Sequence, residues 1–246
     1  MEKLIITSPT DLNKANWDEK DKTPFLYYLI SLSKGQEKAA WEKRIVNTNL
    51  PCLAVPCQKV NEIVKQIAKG NIAEFINLWI TDYFTCTTIL AGLIPKVKDA
   101  SLQKKYLIKL GDSADSWATT DAVKIKPTTK TAPYYIGLAK ELITRPKPFS
   151  RRLALILLLK LTNFPEFNKE ILSISASLQN ETEYYVNMAN AWLVAECFIK
   201  NRNETLTYLQ QKRFNKFTQN KAIQKCRDSF RVTAEDKALL NSLKIN

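Results

Sequence analysis

Apolar positions recur at intervals of three and four residues along almost the whole chain, the spacing of helices with one buried face. This pattern predicts helices over Pro24–Lys34, Gln36–Thr48, Pro56–Lys69, Ile72–Ile80, Asp82–Val97, Ser101–Lys109 and Ser113–Lys124. It continues through Ala132–Ile143, Ser150–Asn163, Pro165–Leu178, Thr182–Asn201, Asn203–Gln211, Asn215–Ser229 and Thr233–Leu243. Start signals agree with these positions. Pro56 and Pro165 suit a first helical turn, and Ser150 is a candidate N-cap. Acids follow Thr182 and Thr233, where the helix dipole favours them. No strand-like alternation persists beyond about five residues, so the predicted fold class is all-α.

Many short helices with brief connectors suit an α-solenoid, in which antiparallel helix pairs stack into a curved layer. A globular helical bundle is the alternative, because no repeat of fixed period stands out. One domain is expected over residues 1–246, with 1–22 as a peripheral N-terminal segment. The only linker-like stretch, 126–133, is too short to establish a boundary. No exposed heptad seam argues for more than a monomer.

Composition removes several chemistries. Glycine occurs 5 times in 246 residues, against a usual share of about 7%. That disfavours P-loops, dinucleotide-binding glycine motifs and turn-rich β folds. Histidine is absent, which excludes Ser-His-Asp and Cys-His catalysis and histidine-ligated zinc. Carboxylates, aromatics, cations and thiols remain, and neither a metal nor an organic cofactor is implied. The five cysteines lack the spacing of a disulfide framework and fit a reducing cytoplasm. The opening Met1-Glu2-Lys3-Leu4-Ile5-Ile6 lacks the apolar core of a signal peptide. The longest apolar run, Leu153 to Leu159, is far short of the ~20 residues a membrane span needs. A buried core helix is the better reading of it.

Charge sharpens the picture. The chain carries 37 Lys and Arg against 24 Asp and Glu, a net charge of +13. A surplus of this size suits a polyanionic partner. It is also uneven. Lys124 to Lys160 carries nine cations against Glu141, and Lys200 to Arg231 nine against Glu204 and Asp228. Between them, Leu161 to Ile199 holds Lys169 against five glutamates. Two basic segments flanking an acidic, apolar one are expected to form a cationic face able to neutralise phosphates.

Three groups of residues could carry chemistry. Trp117 and Asp121 stand four apart in Asp115-Ser116-Trp117-Ala118-Thr119-Thr120-Asp121 and share a helix face. Core packing of Trp117 with an exposed Asp121 is the plainer reading of that spacing. Tyr185, Met188, Ala189 and Trp192 form one stripe on a second aromatic helix, where core packing is again the default. Arg152 abuts the apolar run, and a desolvated guanidinium requires an acceptor.

With these residues in view, the chain resembles the DNA alkylation repair proteins with HEAT-like repeats, the AlkD-type alkylpurine DNA glycosylases. Four blocks carry the resemblance: Asp115-Ser116-Trp117-Ala118-x-x-Asp121, the arginine-led apolar helix at Arg152, Tyr184-Tyr185-Val186-x-Met188-Ala189-x-Ala191-Trp192, and Lys221-Ala222-Ile223-Gln224-Lys225-x-Arg227-x-Ser229-x-Arg231-Val232. Fainter similarity runs back through Ala91-Gly92-Leu93 to Asn49–Gly70, so residues 45–240 are covered. The order and combination of blocks are specific, although each alone is weak.

The resemblance implies an α-solenoid of HEAT-like antiparallel helix pairs whose concave, basic face binds double-stranded DNA containing alkylated purines. It implies a monofunctional glycosylase that releases N3- and N7-alkylpurines without a deep base-flipping pocket, with Asp121, Trp117 and Trp192 as catalytic residues. DNA contacts would come from Arg152, Arg151, Tyr185, Lys124, Lys225, Arg227 and Arg231. Two positions depart from the family pattern. Ser150 stands where relatives often carry an acid, and near Ile45 an aromatic of some active members is missing. A non-catalytic nucleic-acid-binding protein that keeps the cleft is therefore the alternative expectation.

Overall fold

The structure, a computed structural model, describes residues 6–246. The leader-free reading of the first residues lies largely outside that range. Among the described residues there are fourteen α-helices and no strand. The fold is all-α, and it divides into two compact units, Met1–Lys124 and Ile125–Asn246. The division falls just before the linker-like stretch at 126–133.

The first unit contains α1 (Lys22–Ser31), α2 (Gln36–Val46), α3 (Cys57–Ile67), α4 (Ile72–Leu78), α5 (Phe84–Leu93), α6 (Ala100–Ser113) and α7 (Trp117–Asp121). Short 3₁₀ turns cover Pro9–Leu12, Glu19–Asp21 and Ile94–Lys96. Residues from Ile6 to Asp21 are integral to this unit, not peripheral to it. Leu12 is fully buried, and Trp17 sits edge-on to Phe75 and Phe25, at 4.8 and 6.4 Å between ring centroids. The carbonyl of Lys14 accepts from the amide of Asn71 at 2.9 Å. That approach demands Gly70, because a Cβ there would lie 2.1 Å from the same carbonyl oxygen.

The second unit contains α8 (Ala132–Leu142), α9 (Pro148–Leu159), α10 (Asn168–Ala176), α11 (Tyr184–Lys200), α12 (Arg202–Gln210), α13 (Lys216–Asp228) and α14 (Ala234–Ser242). Helices α8, α9, α11 and α13 pack against one another in that succession, with α10 and α12 against α11 and α14 against α13. The order is solenoid-like. Every residue from Leu153 to Leu159 is buried. A helix apolar all round has neighbours all round, as the sequence reading of this run requires. No helix among the described residues is long and apolar enough to cross a membrane.

Two buried polar groups tie the second unit together. Ser175 Oγ donates to Asn190 Oδ1 at 2.5 Å, and Asn190 Nδ2 donates to the Ser175 carbonyl at 3.1 Å. Asn187 Oδ1 accepts from Asn215 Nδ2 at 2.9 Å and Thr218 Oγ1 at 3.1 Å, while Asn187 Nδ2 donates to the Glu181 carbonyl at 3.0 Å. Satisfied networks of this kind hold neighbouring helices in register.

All fourteen helices fall where the apolar periodicity places them, and two differ in ways that matter. The helix expected over Ser113–Lys124 is a five-residue turn, Trp117–Asp121, because α6 runs on to Ser113 and Ser116 begins a new helix as its N-cap. Ser150 is not an N-cap. Helix α9 begins at Pro148, whose fixed φ suits a first turn, so Ser150 is carried inside and buried.

Candidate nucleic-acid interface

Helix α7 is too short to be stable alone, and its position is imposed by the end of α2. Asn47 leaves α2 in the left-handed region at φ 52°, turning the chain sharply. The last carbonyls of a helix lack intrahelical partners, and here the start of α7 supplies them. Ser116 Oγ donates to the Val46 carbonyl at 2.6 Å, and Trp117 Nε1 donates to the Ile45 carbonyl at 3.3 Å. In the other direction, Asp115 accepts from Thr48 Oγ1 at 2.8 Å and the Asn49 amide at 2.7 Å. Ser116 also caps α7 by accepting from the Ala118 amide at 3.2 Å.

This clip fixes the indole and the carboxylate that follow it. Trp117 and Asp121 lie one turn apart and both are half-buried. The Thr120 hydroxyl lies 3.3 Å from Asp121 Oδ1 and 2.8 Å from the Trp117 carbonyl. Ile45, whose carbonyl Trp117 meets, is exposed on α2, as is Trp41 one turn earlier. Lys124 is exposed just beyond α7.

In the second unit Arg152 is buried at 5% exposure in the first turns of α9, and Nη1 donates to the Tyr185 carbonyl at 2.5 Å. Lys225 belongs to the same surroundings. Burial, then the charges of Lys221 and Arg152, hold its ammonium below the ordinary lysine range. An anion bound beside these cations would relieve that repulsion. Trp192 is 37% exposed on α11 and lines a cavity of about 430 Å3 together with Lys160, Asn163, Glu196 and Lys200. Glu196 receives two bonds from Arg231, at 2.5 and 3.1 Å, and lies 3.8 Å from Lys200 Nζ.

The remaining basic candidates divide by what they already touch. Arg151 is held by Glu181 through Nε at 2.6 Å and Nη2 at 3.2 Å, and by the carbonyls of Arg145 and Pro146. Its three nitrogens therefore anchor the loop before α11. Arg231 is engaged by Glu196, and Arg227 Nη1 donates to Asn241 Oδ1 at 3.1 Å while staying exposed. Tyr185 is half-buried against Phe149, at 6.1 Å between centroids.

Four participants were not read from the sequence. Glu196 is marked by its position one turn after Trp192. Glu181 has no local signal, because it meets Arg151 across 30 residues. Asp115 and Ser116 stood in the quoted block without a role, and only the meeting with Thr48 and Val46 supplies one. Three of the thiols are not poised to react as nucleophiles: burial pushes Cys86 and Cys226 up to about 12, and Cys52 likewise, with the Glu42 carboxylate adding to the effect. Among the described residues no group of three or more Cys, Asp or Glu is arranged to hold a metal.

The second unit is strongly basic, and such a surface suits a polyanion. The family comparison agrees. The family model described as "DNA alkylation repair enzyme" matches residues 29–226, and the chain belongs to that family. Membership gives it a role in DNA alkylation repair, with DNA as its partner. No curated protein matches the chain.

Proposed function

We propose that the protein is a monofunctional DNA glycosylase that hydrolyses the N-glycosidic bond of N3- and N7-alkylated purines in duplex DNA. One observation carries this reading: in a chain of the alkylation-repair family, Trp117 and Asp121 are held one turn apart, partly open, by a dedicated clip. Alkylation of a purine ring nitrogen makes the base cationic and already a good leaving group. No histidine or other general acid is then required.

As the bond from the sugar C1′ to the base nitrogen breaks, its electron pair leaves with the base and positive charge develops on the sugar. Asp121 would stabilise that charge and orient the water that attacks C1′. The water's second proton passes to solvent. Each indole face, that of Trp117 in the first unit and that of Trp192 in the second, would attract a cationic group by about 0.5–2 kcal/mol. Arg152, with Lys225 beside it, would hold backbone phosphate.

The test is base release from duplexes carrying N7-methylguanine or N3-methyladenine. Wild-type protein is expected to release the base, and Asp121→Asn to lose release by more than a hundredfold while duplex affinity changes less than threefold. Normal turnover by that variant would overturn the assignment of Asp121. Tight, salt-dependent duplex binding by wild type with no release would favour the non-catalytic reading, to which the exposed Ile45 beside Trp117 lends support.

A further inference from the structure

Helices α9, α11 and α13 follow one another in the packing of the second unit, and the first turn of each carries aromatic residues: Phe149, the pair Tyr184 and Tyr185, and Phe217. The four rings form one continuous strip. Phe149 lies 6.1 Å from Tyr185, Tyr185 5.2 Å from Tyr184, and Tyr184 5.9 Å from Phe217, all between centroids. The strip emerges from the core as it runs. Phe149 and Tyr185 are half-buried, whereas Tyr184 is 56% and Phe217 40% exposed. A contiguous row of partly exposed rings, unlike a single exposed side chain, marks a contact surface.

The surroundings indicate the occupant. Phe217 lines a cavity of about 830 Å3 with Lys216, Lys221, Arg227 and Lys244, against which stands the single carboxylate of Asp228. Lys244 is brought there by the chain end folding onto α13. Gln219 Nε2 donates to the Leu243 carbonyl at 2.7 Å, and Asn220 exchanges two bonds of 2.8 Å with Ile245. Of the carboxylates near the rings, Glu181 is neutralised by Arg151, while Glu183 is exposed before Tyr184. The balance is positive, so the occupant is an anion with flat, apolar faces.

Duplex DNA does not fit that description. Its bases hide their faces in their own stack and offer only edges and phosphates. Unpaired nucleotides offer both a free base face and a phosphate, and they are bound by surfaces that combine aromatic rings with cations. We propose that Tyr184 and Phe217, with Lys216 and Lys221, form a binding site for single-stranded DNA, separate from base excision. The site contacts an unpaired strand through stacking and charge together, without base-sequence preference.

Fluorescence anisotropy of labelled dT20, and of an abasic strand of equal length, tests this with the full chain. Wild type is expected to bind dT20 at least fivefold more tightly than the abasic strand. Tyr184→Ala and Phe217→Ala should each lose fivefold or more in dT20 affinity at unchanged abasic-strand affinity, and Phe217→Trp should restore it. Lys216→Gln with Lys221→Gln should lower the salt dependence of binding by about 1.4 in slope. Base release from alkylated duplex should be the same in the Tyr184 and Phe217 variants as in wild type, so this site and the glycosylase reading can fail separately. Equal binding of dT20 and the abasic strand, absence of dT20 binding, or equal binding of a polyglutamate peptide would overturn the proposal.

Discussion

The two units solve different problems with different materials. The first carries 17 Lys and Arg against 14 Asp and Glu, the second 20 against 10, so +10 of the +13 net charge lies in residues 125–246. The first unit is also the more irregular. Four of the five described residues with positive φ belong to it: Gly35, Asn47, Ala54 and Trp79. One of those bends, at Asn47, ends the helix whose last carbonyls hold the start of the turn that carries the indole and the carboxylate. The second unit stacks regular helices and gathers cations and aromatic rings along them. A precise pair of groups requires non-repetitive backbone, whereas a field of positive charge requires only surface.

Breaking the clip should have the largest effect. Asp115→Ala removes the acceptor for Thr48 and Asn49 without touching Trp117 or Asp121. Base release is expected to fall about a hundredfold, the size of effect that follows from displacing a reacting group by about 1 Å. Thermal unfolding should drop by ~4–8 °C, from about 2 kcal/mol of lost charge-assisted hydrogen bonding. A variant that loses stability but keeps full release would show that the clip supports the fold alone.

Next comes the buried network of the second unit. Asn187→Ala leaves Asn215 and Thr218 without their shared acceptor, which should cost about 1–3 kcal/mol in denaturant unfolding. Affinity for duplex DNA should fall less than threefold if charge, not geometry, dominates that unit's binding.

Acid should discriminate the units more gently. Burial alone would raise Glu181, but hydrogen bonds from Arg151 and the Glu183 and Thr182 amides, with the charge of Arg151, outweigh it and hold its carboxyl below the ordinary value. A carboxylate whose folded pKa is depressed contributes stability above its unfolded pKa, near 4.5, and loses it as pH falls through the lower folded value. Unfolding followed from pH 6 to pH 3 should therefore show a loss that Glu181→Gln lacks, the variant being less stable at pH 6 and equal at low pH.

Thiol labelling gives the smallest signal. At pH 8 Cys57, which is exposed, should react first, and the buried Cys86, Cys197 and Cys226 only through opening of their units. Faster labelling of Cys86 than of Cys197 and Cys226 would show that the irregular unit opens more readily. Equal rates would erase that difference.

Much of the fold was legible because helical periodicity is local. The run Leu153–Leu159 announces a buried helix by composition alone, and Asn215 and Thr233 begin helices with side chains that cap them. The failures are where local rules compete. At Ser150 a serine just before an apolar run resembles a cap, yet Pro148, two residues earlier, starts the helix. Between Ser113 and Lys124 apolar spacing alone cannot reveal a break, because it depends on Asp115 and Ser116 meeting the end of α2 nearly 70 residues away.

By itself the sequence determined the all-α class, the excess of positive charge and where along the chain it lies, the absence of histidine chemistry, and the pairing of Trp117 with Asp121 on one helical turn. These follow from residue type and short spacing. Only tertiary structure decided that Asp115 and Ser116 form a clip, that Arg151 is tied to Glu181 while Arg152 donates to the Tyr185 carbonyl, and that rings from three helices join in one strip. Each of those depends on which distant helix ends meet, and the energy that selects the meeting is shared among many buried contacts, none of them written in a local motif.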